Sequence, residues 1–426
     1  MSLSFQLHLK RIARGAVLAM SLAALAILPA FGPPLLASAA VTPGAALAWG
    51  GNYAGQLGTG SSDYVSTTPV AVSGLTDATA VAAGGRHSLA LRGDGLVVAW
   101  GLNNAGQLGN GTLTDTAVTT QAAGLSGVSA IGAGAYHSLA VAADGSVWAW
   151  GWNDEGQLGN GTEASSSTPV QALGLTAATQ VSGGFAHSLA RTADGSVWAW
   201  GENFRGQLGN GTTTFSTVPL KVPVVTGIVA VAAGNGFSVA LAADGTMWSW
   251  GANDAGQLGD ATNVQSLAPV QVLAQAANPD PVAPTPAIPF GGVVAIAAGE
   301  KHVMALKGDG TIWAWGANNA GQLGNASGNG ANVPQQVLGA GPATTIAAGS
   351  FQSLALGADG SVWVWGANDS GQLGNGTRQP VDPFSTAIPT LVPGLGGISA
   401  LSSGFSHNLA IQSPPVPAAA TLPLAR

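Results

Sequence analysis

Trp100-Gly101-Leu102-Asn103-Asn104-Ala105-Gly106-Gln107-Leu108-Gly109 is one of seven copies of the phrase W-G-x-N-x-x-G-Q-L-G. The copies begin at Trp49, Trp100, Trp150, Trp200, Trp250, Trp315 and Trp365, at spacings of 51, 50, 50, 50, 65 and 50 residues. A period near 50 marks an array in which each repeat is one supersecondary unit that cannot bury its apolar face alone. Upstream of the quoted stretch, His87-Ser88-Leu89-Ala90-Leu91 alternates as a strand does, and Leu96 to Trp100 returns beside it. Asp94-Gly95 between them reads as a two-residue type I′ hairpin, since Asp and Gly tolerate positive φ. Val81-Ala82-Ala83-Gly84 leads into the His strand, and Gln107-Leu108-Gly109 begins a further turn and strand.

The count of parts predicts closure. The Asp-Gly turn occurs six times, at Asp94, Asp144, Asp194, Asp244, Asp309 and Asp359, but the Trp-Gly phrase and the G-x-x-H-type segment each occur seven times. Ala46–Trp49 lacks a preceding partner and His407–Ile411 lacks a following one. If these two orphans pair, the chain becomes a ring of seven blades, within the usual propeller range. A linear array would leave both edges open to aggregation. The expected fold is therefore all-β: a seven-bladed β-propeller over 41–412, closed by pairing of its N-terminal and C-terminal strands.

The three recurring phrases, W-G-x-N-x-x-G-Q-L-G, A-x-G-x-x-H-S-L-A-L and D-G-x-V-W-x-W-G, resemble the regulator of chromosome condensation repeat family. The resemblance runs from about Leu47 to Ile411 and implies a seven-bladed propeller. Tryptophan–aspartate propellers carry different signatures. The founding activity of the family is nucleotide exchange on a small nuclear GTPase, with chromatin binding.

Composition argues against that activity here. Lys10, Arg11 and Arg14 precede an apolar run from Gly15 to Phe31 interrupted by Pro29, and Ala37-Ser38-Ala39 follows as a cleavage motif. This reads as a secretory signal peptide over 1–40 and not as a spanning helix. Its removal takes three of 12 Lys and Arg and none of 19 Asp and Glu, leaving a net charge of −10. Phosphate binding needs a basic footprint that such a chain lacks. The expected protein is a secreted, extracellular or cell-envelope monomer, with no membrane span after signal cleavage and no nucleic-acid partner. The chain has no Cys, which excludes disulfides and thiolate metal sites. A Pro-rich insertion, 274–290, accounts for most of the long interval and reads as a surface loop. A shorter one spans 378–386, and 413–426 reads as a disordered Pro-rich tail.

Five histidines share one repeat position: His87, His137, His187, His302 and His407, with Phe237 and Gln352 in the other two units. Blade geometry spreads equivalent positions around a ring, so they suit hydrogen bonding within each blade better than a tetrahedral metal site. The repeated tryptophans read as core. No nucleophile elbow, phosphate loop, H-E-x-x-H or paired-carboxylate signature occurs, so neither catalysis, a metal nor a cofactor is expected.

The unrepeated residues carry the functional reading. Pairing across the Asp-Gly hairpin brings the residues before each His beside those after each Trp-Gly, all on one propeller face. In this register the face collects Tyr136 with Trp152, Phe185 with Phe204 and Arg205, Phe237, Phe351, and Phe405 with Tyr53 across the closure. Arg86, Asp154, Glu155, Glu202, Glu300 and Lys301 lie among them. Interfaces are enriched in aromatic residues and Arg. The expected function is a secreted, non-enzymatic binding scaffold that engages an extracellular protein through Tyr53, Tyr136, Trp152, Phe185, Phe204, Arg205, Phe237, Phe351 and Phe405. The alternative is a carbohydrate- or cell-wall-binding propeller, since exposed aromatics also stack on sugars.

Overall fold

A computed structural model describes residues 43–275, 286–378 and 387–414. The signal-peptide segment, most of both Pro-rich insertions and the tail beyond Pro414 lie outside them. Every regular element described is a strand. Seven four-stranded antiparallel sheets and one two-stranded ribbon account for all of them. In the blade holding the quoted phrase, the strands are Ala78–Ala83, His87–Arg92, Val97–Gly101 and Thr116–Gln121, from the central channel outward. The other blades repeat this order.

The ring closes as the orphan strands require. Ala45–Gly51 lies antiparallel to His407–Gln412, with Ala46 opposite Ile411 and Trp49 opposite Asn408. Ile398–Ser403 completes this blade on the inside and Val65–Ala71 on the outside. The first and last strands described thus share one sheet, a fold of the seven-bladed propeller class.

Two local readings are corrected. The inner segment is a separate strand, Ala78–Ala83, folded back on His87–Arg92 with Val81 opposite Ala90, so a blade has four strands. The Asp-Gly turn is not type I′. That turn needs positive φ at both central residues, and none of the six Asp residues has it. Gly93, Asp94 and Gly95 form a three-residue loop: Gly95 N–H donates to Arg92 O at 3.0 Å, Arg92 N–H donates to Leu96 O at 2.9 Å, and only Gly95 is left-handed, at φ 79°. A type I turn closed by a left-handed Gly bulge meets this pattern. Asp94 Oδ1 accepts from Leu96 N–H at 3.0 Å, which explains why Asp recurs.

The structure also explains the repeated phrase. Trp150 is fully buried, and its Nε1–H donates to Gln107 O of the preceding repeat at 2.9 Å. All seven tryptophans make this bond, Trp49 to Gln372 O included, so it runs around the whole ring. Asn103 Oδ1 accepts from Leu108 N–H at 2.9 Å, and its Nδ2 donates to Thr112 O and Thr114 O. Gln107 Oε1 accepts from Ala105 N–H. Gly109 sits at φ 70°, under the next Trp: a Cβ there would lie 2.8 Å from Trp150 Nε1. Between-blade cores gather buried apolar residues from neighbouring repeats, as where Leu108 packs with Leu89, Val97 and Trp150.

The histidines bolt blade to blade. Ser138 Oγ–H donates to Gln107 O at 2.8 Å, so it accepts from His87 Nε2–H of the neighbouring blade at 2.9 Å. His137–Ser188, His187–Ser238, His302–Ser353 and His407–Ser88 repeat this link. The bonds therefore run between blades and not within them. Where Phe237 replaces His, the facing residue in the next repeat is Val303 in place of Ser. Where Gln352 replaces it, the facing residue is Asn408, and Gln352 Nε2–H donates instead to Ser403 Oγ and Gly404 O. Burial lowers His87 and His302 to a pKa of about 4 and His137, His187 and His407 to about 3; the charges of His87 and His187 add to the effect at His137, and that of His87 at His407. These rings are neutral near pH 7.

The 274–290 segment is not wholly a surface loop. Leu273–Gln275 pairs with Ile288–Pro289, and Phe290 is buried against Trp315 and Trp313.

Candidate functional site

The face is built from two loops per blade. His87 pairs with Gly101 across the hairpin, and Leu102 N–H donates to Arg86 O at 2.9 Å. The equivalent bond, Trp152 N–H to Tyr136 O at 2.9 Å, sets Trp152 beside Tyr136 as the register requires. Their rings meet edge to face, 6.1 Å between centroids. Tyr136 also meets Phe185 edge to face at 5.9 Å. Phe185 stacks on Phe405 at 6.3 Å and 11°. Phe185 and Phe405 follow the inner strands of two blades that are not neighbours, so this stack spans the channel mouth.

The channel beneath has a volume of about 310 Å³ and a wall of small residues, including Ala83, Ala133, Ser182, Ala233, Ala297 and Ala348. Seven glycines ring its upper end because the blades approach too closely there for a Cβ. At Gly134 a Cβ would lie 2.6 Å from Gly184 O and against the His137 ring.

Four predicted residues, Tyr136, Trp152, Phe185 and Phe405, thus form one contiguous, half-buried cluster. Tyr53 is 43% exposed and lies elsewhere on the face: it stacks on Tyr64 at 6.4 Å, Arg86 lies 5.8 Å from its ring centroid, and its hydroxyl meets Ser370 Oγ at 3.1 Å. Tyr53 does not pair with Phe405, nor Phe185 with Phe204. Phe204 is 57% exposed and Arg205 is exposed. Phe351 is half-buried, and no ring contact joins it or Phe204 to the cluster among the described residues. Lys301 bonds Asp254 at 2.7 Å.

Phe237 is a correction. It is fully buried, packed with Val239, Leu241 and Val303 in a core between blades. Its position is that of the repeated His, one residue deeper than the face, so it is scaffold and not a contact residue.

A feature missed in the sequence concerns the slot of Tyr53 and Phe204. In four repeats this slot holds Asn104, Asp254, Asn319 or Asp369, whose side-chain oxygen accepts from the buried Nε2–H of the Gln three residues on. Tyr53 and Phe204 offer no acceptor, and Gln56 Nε2 and Gln207 Nε2 are buried without a partner. Gln157 Nε2 is also unpartnered, although Asp154 occupies its slot. Leaving a buried donor unpaired costs about 1–3 kcal/mol. The signal was legible as N or D in the fifth position of the phrase.

The face carries charge unevenly. Glu202 stands where the other repeats have Gly51, Leu102, Trp152, Ala252, Ala317 and Ala367, and Glu155 where they have Ala, Ser or Arg205. Burial raises the Glu202 pKa, and the Glu155 charge raises it further, against smaller opposing effects of Arg205 and the Gln207 amide. Burial also raises Glu155, with Asp154 and Glu163 adding to it. No three His, Cys, Asp or Glu gather in a metal-holding group among the described residues.

An RCC1-like domain model matches residues 36–283, and models of the regulator of chromosome condensation (RCC1) repeat match 309–356 and 359–411. Over 70 residues the chain is 44% identical to the probable E3 ubiquitin-protein ligase HERC6 of Homo sapiens, which is 16% of this chain and 7% of that protein. The match thus spans a small fraction of that relative's length. Among solved structures, Prp20p of Saccharomyces cerevisiae superposes with a TM-score of 0.75 at 23% identity, covering 88% of this chain and 93% of that one. Human WBSCR16 gives 0.74 at 22%, covering 87% and 99%. These likenesses show the same fold. With a family model over more than half its length and seven blades carrying the repeated phrase, the chain belongs to the regulator of chromosome condensation (RCC1) repeat family.

Proposed function

We propose that this protein is a secreted binding scaffold without catalytic activity, which engages a protein partner outside the cell through its aromatic face. The observation that carries the reading is Phe204. It is 57% exposed, in a slot where Asn or Asp pairs a buried amide in four other repeats, so it forgoes that bond for only partial burial. An exposed aromatic maintained against the needs of the fold is explained by contact with something else. The cluster from Trp152 to Phe405 adds a rigid patch of the kind that anchors interfaces. The basic, apolar and small-residue order of 1–40 supports export. Prp20p, with the same fold, has binding properties to Gsp1p and histones. Guanine-nucleotide exchange is the less favoured reading, because an exported acidic chain does not meet a nuclear GTPase. The Tyr53–Tyr64 stack favours carbohydrate or cell-wall glycan as the second reading, since such faces also take sugar rings.

Affinity capture from secreted proteins, run beside a glycan array, separates the two. Trp152→Ala should weaken capture of the partner by at least about 2 kcal/mol, roughly thirtyfold, with the melting temperature changed by no more than about 2 °C. A large loss of stability with capture intact would place Trp152 in the core and end this reading. Glycan binding that depends on Tyr53 and Tyr64 would favour the second.

A further inference from the structure

Glu155 and Glu202 belong to loops of neighbouring blades. Trp152 is three residues from Glu155 and occupies in its own blade the slot that Glu202 occupies in the next. Both slots are fixed by the backbone: Trp152 N–H donates to Tyr136 O and Glu202 N–H to Ala186 O, each at 2.9 Å. Glu155 N–H is held by Gln157 Oε1 at 3.1 Å on the loop that carries Trp152, Glu202 is bonded to the residue after Phe185, and the Glu155 charge acts on Glu202. Both carry raised pKa values through burial and like charge. Neither forms an ion pair among the described residues, where Arg92 and Lys301 make the ion pairs, and Arg205 only tempers Glu202 from the surface. The buried Gln207 amide only slightly offsets the rise at Glu202.

Half-buried like charges destabilise a fold unless a counter-charge is supplied. Nothing in the blade architecture asks for them, since the other repeats all place Gly, Leu, Trp or Ala in the Glu202 slot. A cation beside Trp152 would gain twice, from the two carboxylates and from the ring face. A neutral glycan would gain from the rings only and leave the carboxylates uncompensated.

We propose that the partner of this face is a protein segment that inserts a Lys or Arg side chain between Glu155 and Glu202, with an adjacent apolar residue on Trp152, Tyr136, Phe185 and Phe405. This rests on the aromatic-face reading and names the chemistry of its partner. It also assigns the Glu pair a cost in the free protein: the carboxylates are held for binding and not for folding.

The test uses the purified protein and a phage-displayed library of random dodecapeptides. Selection on the wild type should enrich Lys or Arg next to an aromatic or aliphatic residue. The selected peptide, made synthetically, should bind the Glu155→Gln/Glu202→Gln variant at least about tenfold more weakly. That variant should be at least as stable as the wild type in urea, because repulsion has been removed. Peptides that need Trp152 but lack a basic residue, or bind the double variant equally well, would overturn the cation and leave the aromatic face standing. Peptides indifferent to both Trp152→Ala and the double variant would overturn both. Recovery of no peptide, or a destabilised double variant, would overturn the proposal as well.

Discussion

Lowering the pH from 7 to about 4.5 should unfold the ring, because its five blade-to-blade histidines must remain neutral. Their pKa values in the fold are about 3 to 4, against about 6.5 in an unfolded chain. The folded value is depressed, so the contribution to stability is complete above pH 6.5 and is lost as pH falls toward 3 to 4. In that window the unfolded state binds more protons, and each histidine costs about 1.4 kcal/mol per pH unit, five of them about 7. Between pH 7 and 4.5 the loss sums to about 12 kcal/mol, comparable to the whole stability of a typical domain, about 5–15 kcal/mol. Urea titrations followed by tryptophan fluorescence at pH 7, 6, 5.5 and 5 would measure the slope. The chain itself suggests the control: His87→Phe with Ser138→Val copies the Phe237–Val303 pair and should reduce the slope by about one fifth. Ser138→Val alone leaves His87 Nε2–H buried and unpaired, at a cost of about 1–3 kcal/mol. Stability that stays flat from pH 7 to 5, or a slope unmoved by the paired swap, would refute the reasoning.

Two further outcomes concern the scaffold. Gly134→Ala should destabilise the ring by more than about 3 kcal/mol, since its Cβ meets Gly184 O and the His137 ring and the backbone must move; thermal unfolding measures it. Deleting the chain from Phe405 onward removes His407–Gln412 and leaves both Ala45–Gly51 and Ile398–Ser403 without their partner, so loss of folding of the whole ring by circular dichroism is expected, whereas deletion after Pro414 should change little.

The sequence revealed the fold through what is repeated. The phrase from Trp100 to Gly109 carries the interblade contacts, so its sevenfold recurrence and the two unpaired strands were enough to fix blade number and closure. The outer strand, Thr116–Gln121, was harder to see: it is half-exposed and Thr-rich, and no Asp-Gly hairpin announces it. The turn type was misread because Asp94 is kept for its side-chain bond to Leu96 N–H and not for its φ. The direction of the histidine bonds was legible only by comparing His with the Ser of the following repeat, where Phe237 with Val303 and Gln352 with Asn408 change together. Within the face, Tyr136 and Trp152 followed from the hairpin register, whereas the stack of Phe185 on Phe405 did not, because it joins blades that are distant in sequence and opposite across the channel. Phe237 was read both as a scaffold substitution and as a face residue, and depth along the strand decides for the scaffold.

The central claim is that repeated residues build the ring and the unrepeated aromatics are present for contact. Phe204→Asn tests it most directly, because it restores at one slot the residue type that the fold uses elsewhere. The introduced amide would offer Gln207 Nε2–H the acceptor that Asn104 offers Gln107. The account expects thermal or urea unfolding to show stability unchanged or raised, by up to about 1–2 kcal/mol. A loss of more than about 1 kcal/mol, beyond the range of ordinary surface substitutions, would mean that Phe204 serves the fold, and would contradict the reading of the face as a binding surface.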